Sequence, residues 1–89
     1  MLIEQVTVIN KLGLHARAAA LFAKTSARFG STIKVGVNGK MVDAKSVMAL
    51  MLLTASKGSE LNLEVEGSDQ EAALQAVCTL INNRFDEAE

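Results

Sequence analysis

Residues 60–66, Glu-Leu-Asn-Leu-Glu-Val-Glu, alternate polar and apolar side chains at every position. Because successive side chains of a β-strand point to opposite faces of the sheet, this alternation predicts a half-buried strand with Leu61, Leu63 and Val65 facing inward. One face of the sheet is then buried and the other is exposed to solvent. An antiparallel sheet with helices packed on one side satisfies that arrangement.

Two other parts of the chain supply further strands. Residues 2–9 have period-two character and predict a first strand. Residues 32–37 and 41–44 flank Asn38-Gly39, and Asn-Gly between β-patterned runs is the strongest short signal for a hairpin, since a type I′ turn needs positive φ at both positions. The chain therefore has four predicted strands.

Three segments predict helices. The first runs from about Ala16 to Arg28, with Gly30 as a left-handed cap. The second covers residues 47–53, with Ser46 as its N-cap. The third follows a capping box at residues 68–71, in which Ser68 is the cap, and it ends near Asn83.

The order of elements, βαββαβα, predicts an α+β fold. We expect a two-layer open-faced sandwich, in which a four-stranded antiparallel sheet carries three helices on one face. The whole of residues 1–89 is expected to form a single domain. The acidic tail, residues 85–89, is expected to fray.

Composition excludes several classes of function. The 89 residues contain no Trp or Tyr and only three Phe, and they carry a net charge of −1, so no basic patch dominates, base-stacking side chains are scarce, and nucleic-acid binding is not expected. One histidine and one cysteine are too few for a metal site, and no cofactor is expected. The start alternates rather than running apolar, and no apolar stretch approaches the roughly 20 residues of a membrane span. A cytoplasmic protein is the expectation.

Residues 13–20, Gly-Leu-His-Ala-Arg-Ala-Ala-Ala, contain the only histidine. His15 lies at a predicted helix N-terminus, where free backbone N–H groups and the helix dipole favour an anion. Arg17 adds a cation that can bind phosphate oxygens with two hydrogen bonds. The segment therefore indicates a place where a phosphoryl group can rest on a nitrogen. The alternative is a structural histidine beside a solvated arginine.

The second helix has too many apolar positions for one buried face. We interpret Val47, Met48 and Met51 as an exposed, adaptable patch that binds partner proteins, the alternative being ordinary core packing.

Taken together, these motifs resemble the HPr family, the histidine-containing phosphocarriers of the bacterial phosphotransferase system. The resemblance rests on residues 13–17, the hairpin at 38–40, Ala-Lys-Ser-Val-Met at 44–48, Lys57-Gly58 and the order of elements, and it covers nearly the whole chain. It implies that His15 is phosphorylated on Nδ1, with Arg17 and the backbone N–H groups of Ala16 and Arg17 binding the phosphate. It also implies that Ser46 matches a regulatory serine, for which a plain N-cap is the alternative.

The partners implied are Enzyme I as donor, Enzyme IIA domains as acceptors and, in some bacteria, a serine kinase. The chain departs from the family at Ala18, where proline is usual, and at Leu12, where some relatives have a polar residue. Residues 83–87 are faintly similar to the nitrogen-branch relatives, so the sugar and nitrogen branches both stay open.

We expect a monomeric phosphoryl-group carrier rather than an independent enzyme, serving sugar transport. The alternatives are a regulatory phospho-switch of the same fold and an unrelated ferredoxin-like module that binds RNA or metal, against which the scarce aromatic residues and lone Cys78 argue.

Overall fold

One antiparallel sheet forms a layer of the computed structural model, which describes residues 1–89. β4 is a central strand, because it pairs with β1 on one side and with β2 on the other, and the strand order is β1-β4-β2-β3. The four strands are β1 (Leu2–Thr7), β2 (Thr32–Val37), β3 (Lys40–Asp43) and β4 (Glu60–Glu66). The predicted hairpin joins β2 to β3, and Asn38 and Gly39 have φ of 54° and 84°, both positive as a type I′ turn requires.

Three helices form the second layer, and this confirms the predicted α+β sandwich. They are α1 (Ala16–Ala27), α2 (Val47–Leu52) and α3 (Gln70–Asn82), followed by a short 3-10 turn at Arg84–Asp86. α1 packs against α2 and α3, and α3 lies on β1 and β4. None of these helices is long and apolar enough to cross a lipid bilayer.

The core lies between the two layers. Leu61, Leu63 and Val65 of β4 are fully buried, as the alternation predicted, while the residues between them are partly exposed. They share one apolar cluster with Phe22 of α1 and Val77 of α3. A continuous core of this kind fixes the angle at which α1 leaves the sheet.

Two predicted helix caps are wrong. Gly30 is not left-handed, because α1 ends at Ala27 and Arg28 caps it in the right-handed conformation. Ser68 is not the N-cap of α3, which begins at Gln70. Asp69 takes the N-cap position of α3 instead, without a side-chain cap hydrogen bond. Its carboxylate accepts hydrogen bonds from the N–H of Gly30 at 2.9 Å, from the N–H of Ser31 at 2.9 Å and from the Ser31 hydroxyl, so it joins the start of α3 to the segment after α1.

The C-terminal residues do not fray, contrary to the expectation. Arg84, Phe85 and Asp86 have φ of 56°, 52° and 61°, so three successive residues turn left-handed and reverse the chain. Phe85 is fully buried in the core. The Lys11 N–H donates to the Glu89 carbonyl, which attaches the end of the chain to the segment before α1. We call residues 84–89 the C-terminal strap.

Candidate functional site

His15 lies at the N-cap of α1, as predicted. Its backbone is extended, with φ −81° and ψ −176°, and its carbonyl accepts the Ala19 N–H at 2.8 Å. Gly13 makes the preceding turn with φ +66°, and a Cβ there would come within 2.5 Å of the Ala55 carbonyl oxygen. The Leu14 N–H donates to that same oxygen at 2.8 Å. The turn thus fits closely against residues 55–56 and directs the chain into α1.

The two ring nitrogens of His15 have different surroundings. Nε2 forms a hydrogen bond to Oε2 of Glu87, whereas Nδ1 has no hydrogen bond within the protein. An ionised carboxylate only accepts hydrogen bonds, so Nε2 carries the hydrogen. In the neutral ring Nδ1 then has the free lone pair. The His15 side chain as a whole is 29% exposed.

Glu87 is held on both carboxylate oxygens. Oε1 accepts the amide of Asn10 at 3.0 Å, and Oε2 accepts from His15. Asn10 is fully buried and also donates to the Gly13 carbonyl at 2.8 Å. Partial burial of Glu87 raises its pKa, but the hydrogen bonds from Asn10 and His15, together with the charges of His15 and Arg17, outweigh this and lower the pKa below its ordinary value. The carboxylate is therefore ionised at neutral pH.

The N-terminus of α1 is open to an anion. The N–H groups of Ala16, Arg17 and Ala18 have no acceptor within the protein, as expected of a first helical turn. Arg17 is exposed and forms no ion pair. The first turn contains no acidic side chain that would compete with a bound anion.

An open pocket of roughly 570 Å³ brings the predicted residues His15 and Arg17 together. The C-terminal strap forms its other wall, which sequence reasoning missed. The pocket is lined by Lys11, Leu12, His15, Arg17, Glu87, Ala88 and Glu89. Only the acidic composition of residues 86–89 could have hinted at a partner for a histidine.

Ser46, the N-cap of α2, and the predicted patch on α2 do not line this pocket. The Ser46 hydroxyl accepts the Ala49 N–H at 3.2 Å, so the predicted N-cap is present. Met48 is 76% exposed, Met51 43% and Val47 37%. Leu52 and Leu12 are also exposed apolar residues, and Leu12 lies at the pocket itself.

The arrangement suits reversible transfer of an anionic group to a nitrogen. It offers one unprotonated imidazole nitrogen, one free guanidinium and unpaired N–H groups in an open pocket. No group of three or more His, Cys, Asp and Glu side chains could hold a metal ion.

Comparison with known proteins gives a consistent result. The family described as "PTS HPr component phosphorylation site" matches residues 3–83. The chain is 52% identical over 86 residues to "Phosphocarrier protein HPr" of Pseudomonas aeruginosa, covering 96% of each chain. It is 48% identical over 89 residues to the protein of that name from Cupriavidus necator, covering both chains fully.

Solved structures show the same fold. The HPr-C-His structure from Thermoanaerobacter tengcongensis superposes with a TM-score of 0.95 at 43% identity and full coverage of both chains. Crh, described as the Bacillus subtilis catabolite repression containing protein, gives a TM-score of 0.75 at 39% identity over 94% of this chain and 97% of its own.

Proposed function

The chain belongs to the HPr family of phosphocarriers of the phosphotransferase system, and on this premise we propose that His15 accepts a phosphoryl group from phospho-Enzyme I and passes it to Enzyme IIA domains. The observation that carries the proposal is the free Nδ1 of His15 beside the open N-terminus of α1.

The transfer step needs only a nucleophilic nitrogen and a few groups that bind the phosphate oxygens. The Nδ1 lone pair of His15 attacks the phosphorus of the donor phosphohistidine in line, a new N–P bond forms, and the donor nitrogen leaves with the electron pair of the old bond. Phosphoryl transfer depends mainly on alignment and on stabilising charge over the equatorial oxygens. Arg17 and the N–H groups of Ala16 and Arg17 are placed to bind those oxygens. The same geometry serves the reverse step, in which an acceptor histidine attacks.

Exposure matters as much as affinity for a carrier. A phosphoryl group bound in a deep cavity would be sheltered from the acceptor, whereas a group at an open helix end stays within its reach. The pocket at His15 is open to solvent, and the His15 side chain is 29% exposed. This supports a carrier rather than an independent enzyme.

The apolar residues of α2 are the proposed docking surface for Enzyme I and Enzyme IIA. Val47, Met48 and Met51 are exposed on a helix that packs against α1, and methionine side chains adapt to partners of different shape. Ser46, at the start of the same helix, is the proposed site of regulation by a serine kinase. We infer that the protein acts as a monomer in the cytoplasm.

A reconstituted relay tests this function. Enzyme I and labelled phosphoenolpyruvate are mixed with the chain and then with a sugar-specific or a nitrogen-branch Enzyme IIA. We expect label to reach an acceptor only through the chain, and not through His15→Ala. The likeness to Crh favours the regulatory alternative as the second candidate. Labelling of the chain without transfer to either Enzyme IIA would support that second candidate and contradict the first.

A further inference from the structure

The side chain of Glu87 is the one protein group in contact with a ring nitrogen of His15, and neither the motifs nor the comparisons assign it a role. We propose that Glu87 is a positioning residue for phosphoryl transfer: its carboxylate holds the hydrogen of His15 on Nε2 and thereby keeps Nδ1 as the nucleophilic nitrogen. The inference rests on the proposed function in taking His15 as the phosphoryl acceptor.

Glu87 fixes the tautomer of the ring. A neutral imidazole carries its hydrogen on one of two nitrogens, and the partner of one nitrogen decides the state of the other. The ionised Glu87 carboxylate can only accept hydrogen bonds. The tautomer with hydrogen on Nε2 is therefore the one in which His15 and Glu87 form a hydrogen bond. The hydrogen bond also fixes the direction in which the ring presents Nδ1.

Glu87 also stabilises the charge that transfer creates. When the Nδ1 lone pair forms the bond to phosphorus, the hydrogen stays on Nε2 and the ring becomes a cation. The Glu87 carboxylate, which is hydrogen-bonded to Nε2, then lies next to that positive charge and stabilises it. A carboxylate behind the imidazole of a hydrolase acts in the same way, by orienting the ring and stabilising the imidazolium without taking its proton.

The rest of the molecule holds Glu87 in place. Asn10, which is fully buried, binds the carboxylate oxygen that His15 does not use. The strap reaches this position through the three left-handed residues 84–86. Left-handed backbone costs energy in residues other than glycine and persists where surrounding contacts over-determine it. Here those contacts are the buried Phe85 and the bond from the Lys11 N–H to the Glu89 carbonyl.

The experiment measures the tautomer and the reaction separately. Ring ¹⁵N chemical shifts of His15 are recorded at a pH where the imidazole is neutral, for the parent, Glu87→Ala and Glu87→Gln. Asp86→Asn is the matched control, because Asp86 lies on the same strap but its carboxylate is exposed and accepts from Asn83. Phosphorylation by Enzyme I is then timed in all four proteins.

We expect one tautomer in the parent and the control, with hydrogen on Nε2, and a mixture in both Glu87 variants. Phosphorylation should slow by roughly 10- to 100-fold in the Glu87 variants, the range expected for a lost hydrogen bond to a charged group. Parent-like spectra in Glu87→Ala, or altered spectra with a parent-like rate, would overturn the proposal. If the parent itself is not phosphorylated, the proposed function fails, while the spectra still decide whether Glu87 sets the tautomer.

Discussion

The ring of Phe85 lies against the ring of Phe22, with centroids 6.2 Å apart and planes inclined by 32°. Both side chains are fully buried. Phe22 lies in the middle of α1, whose N-terminus carries His15, so this contact ties the end of the chain to the helix that presents the histidine. The position of the C-terminal strap therefore depends on the core and not only on surface hydrogen bonds.

Replacing Phe85 with alanine should remove that anchor. We expect Phe85→Ala to lower the free energy of unfolding by about 3–5 kcal/mol, the usual range for a large core aromatic. Phe29→Ala is the control and should cost less, because Phe29 is only partly buried. Urea unfolding measures both variants. A loss below about 1 kcal/mol for Phe85→Ala would show that the strap is not anchored in this way.

Proline at position 18 should stabilise the fold. Ala18 lies in the first turn of α1 and its N–H has no acceptor, so proline removes no hydrogen bond there. We expect Ala18→Pro to raise the free energy of unfolding by about 0.4–1 kcal/mol, since it restricts the unfolded chain. Ala20→Pro, two residues further into α1, should instead destabilise by about 3 kcal/mol. Destabilisation by Ala18→Pro would mean that the buried site lacks room for the ring.

Asp69 should make stability depend on pH. The hydrogen bonds from the Ser31 hydroxyl and the Gly30 N–H are the main causes that lower the pKa of the Asp69 carboxyl. A pKa that is lower in the folded than in the unfolded state adds stability above the unfolded-state value, and this stability is lost as the pH falls through the folded-state value.

Asp69→Asn should accordingly unfold at lower urea concentration than the parent at pH 7, and the difference should narrow towards pH 3. Asp43→Asn is the control, because the Asp43 carboxylate accepts only the backbone N–H of Lys45. This variant should lose less stability at pH 7 than Asp69→Asn. A gap between parent and Asp69→Asn that is equal at both pH values would contradict the account.

A charge at Met48 should weaken partner binding. Met48 is 76% exposed, so glutamate there costs little folding energy while it disrupts an apolar contact with Enzyme I. We expect Met48→Glu to raise the Kd for Enzyme I by about 10-fold, as at a moderate interface hot spot. Ile3→Glu is the control, because Ile3 is 67% exposed on the edge strand β1. Calorimetric titration that gives the parental Kd for Met48→Glu would remove α2 from the docking surface.

A charge at Ser46 should slow transfer without unfolding the protein. Aspartate is a good N-cap and its charge suits a helix N-terminus, so Ser46→Asp should keep α2 intact. We expect phosphorylation by Enzyme I to slow by about 10-fold through repulsion of an acidic partner surface. Ser46→Asn keeps a capping side chain without the charge and should transfer at the parental rate. Equal rates for all three proteins would argue against regulation at Ser46.

Local patterns in the sequence were sufficient for most of the fold. The alternation at residues 60–66, the Asn38-Gly39 turn and the Ser46 cap each depend on neighbours within a few positions, and the structure has all three. The approximate bounds of α1 followed from the same kind of signal, and with them the position of His15 at a helix start.

The errors arose where distant residues meet. Asp69 binds Ser31, 38 positions away, and the sequence gives no sign that its carboxylate is used there rather than in a helix cap. Glu87 lies 72 positions from His15. The acidic tail has the composition of a fraying end, and only the core site beside Phe22 decides that Phe85 is buried and that Glu87 reaches the histidine.

The most direct test of the central claim is the intact mass of the chain after incubation with Enzyme I and phosphoenolpyruvate, at neutral pH and again after brief acid treatment. Phosphorylation of His15 should give a gain of about 80 Da, one phosphoryl group, that acid removes and that His15→Ala never acquires. An unmodified parent protein, or a gain that survives in His15→Ala, would contradict it.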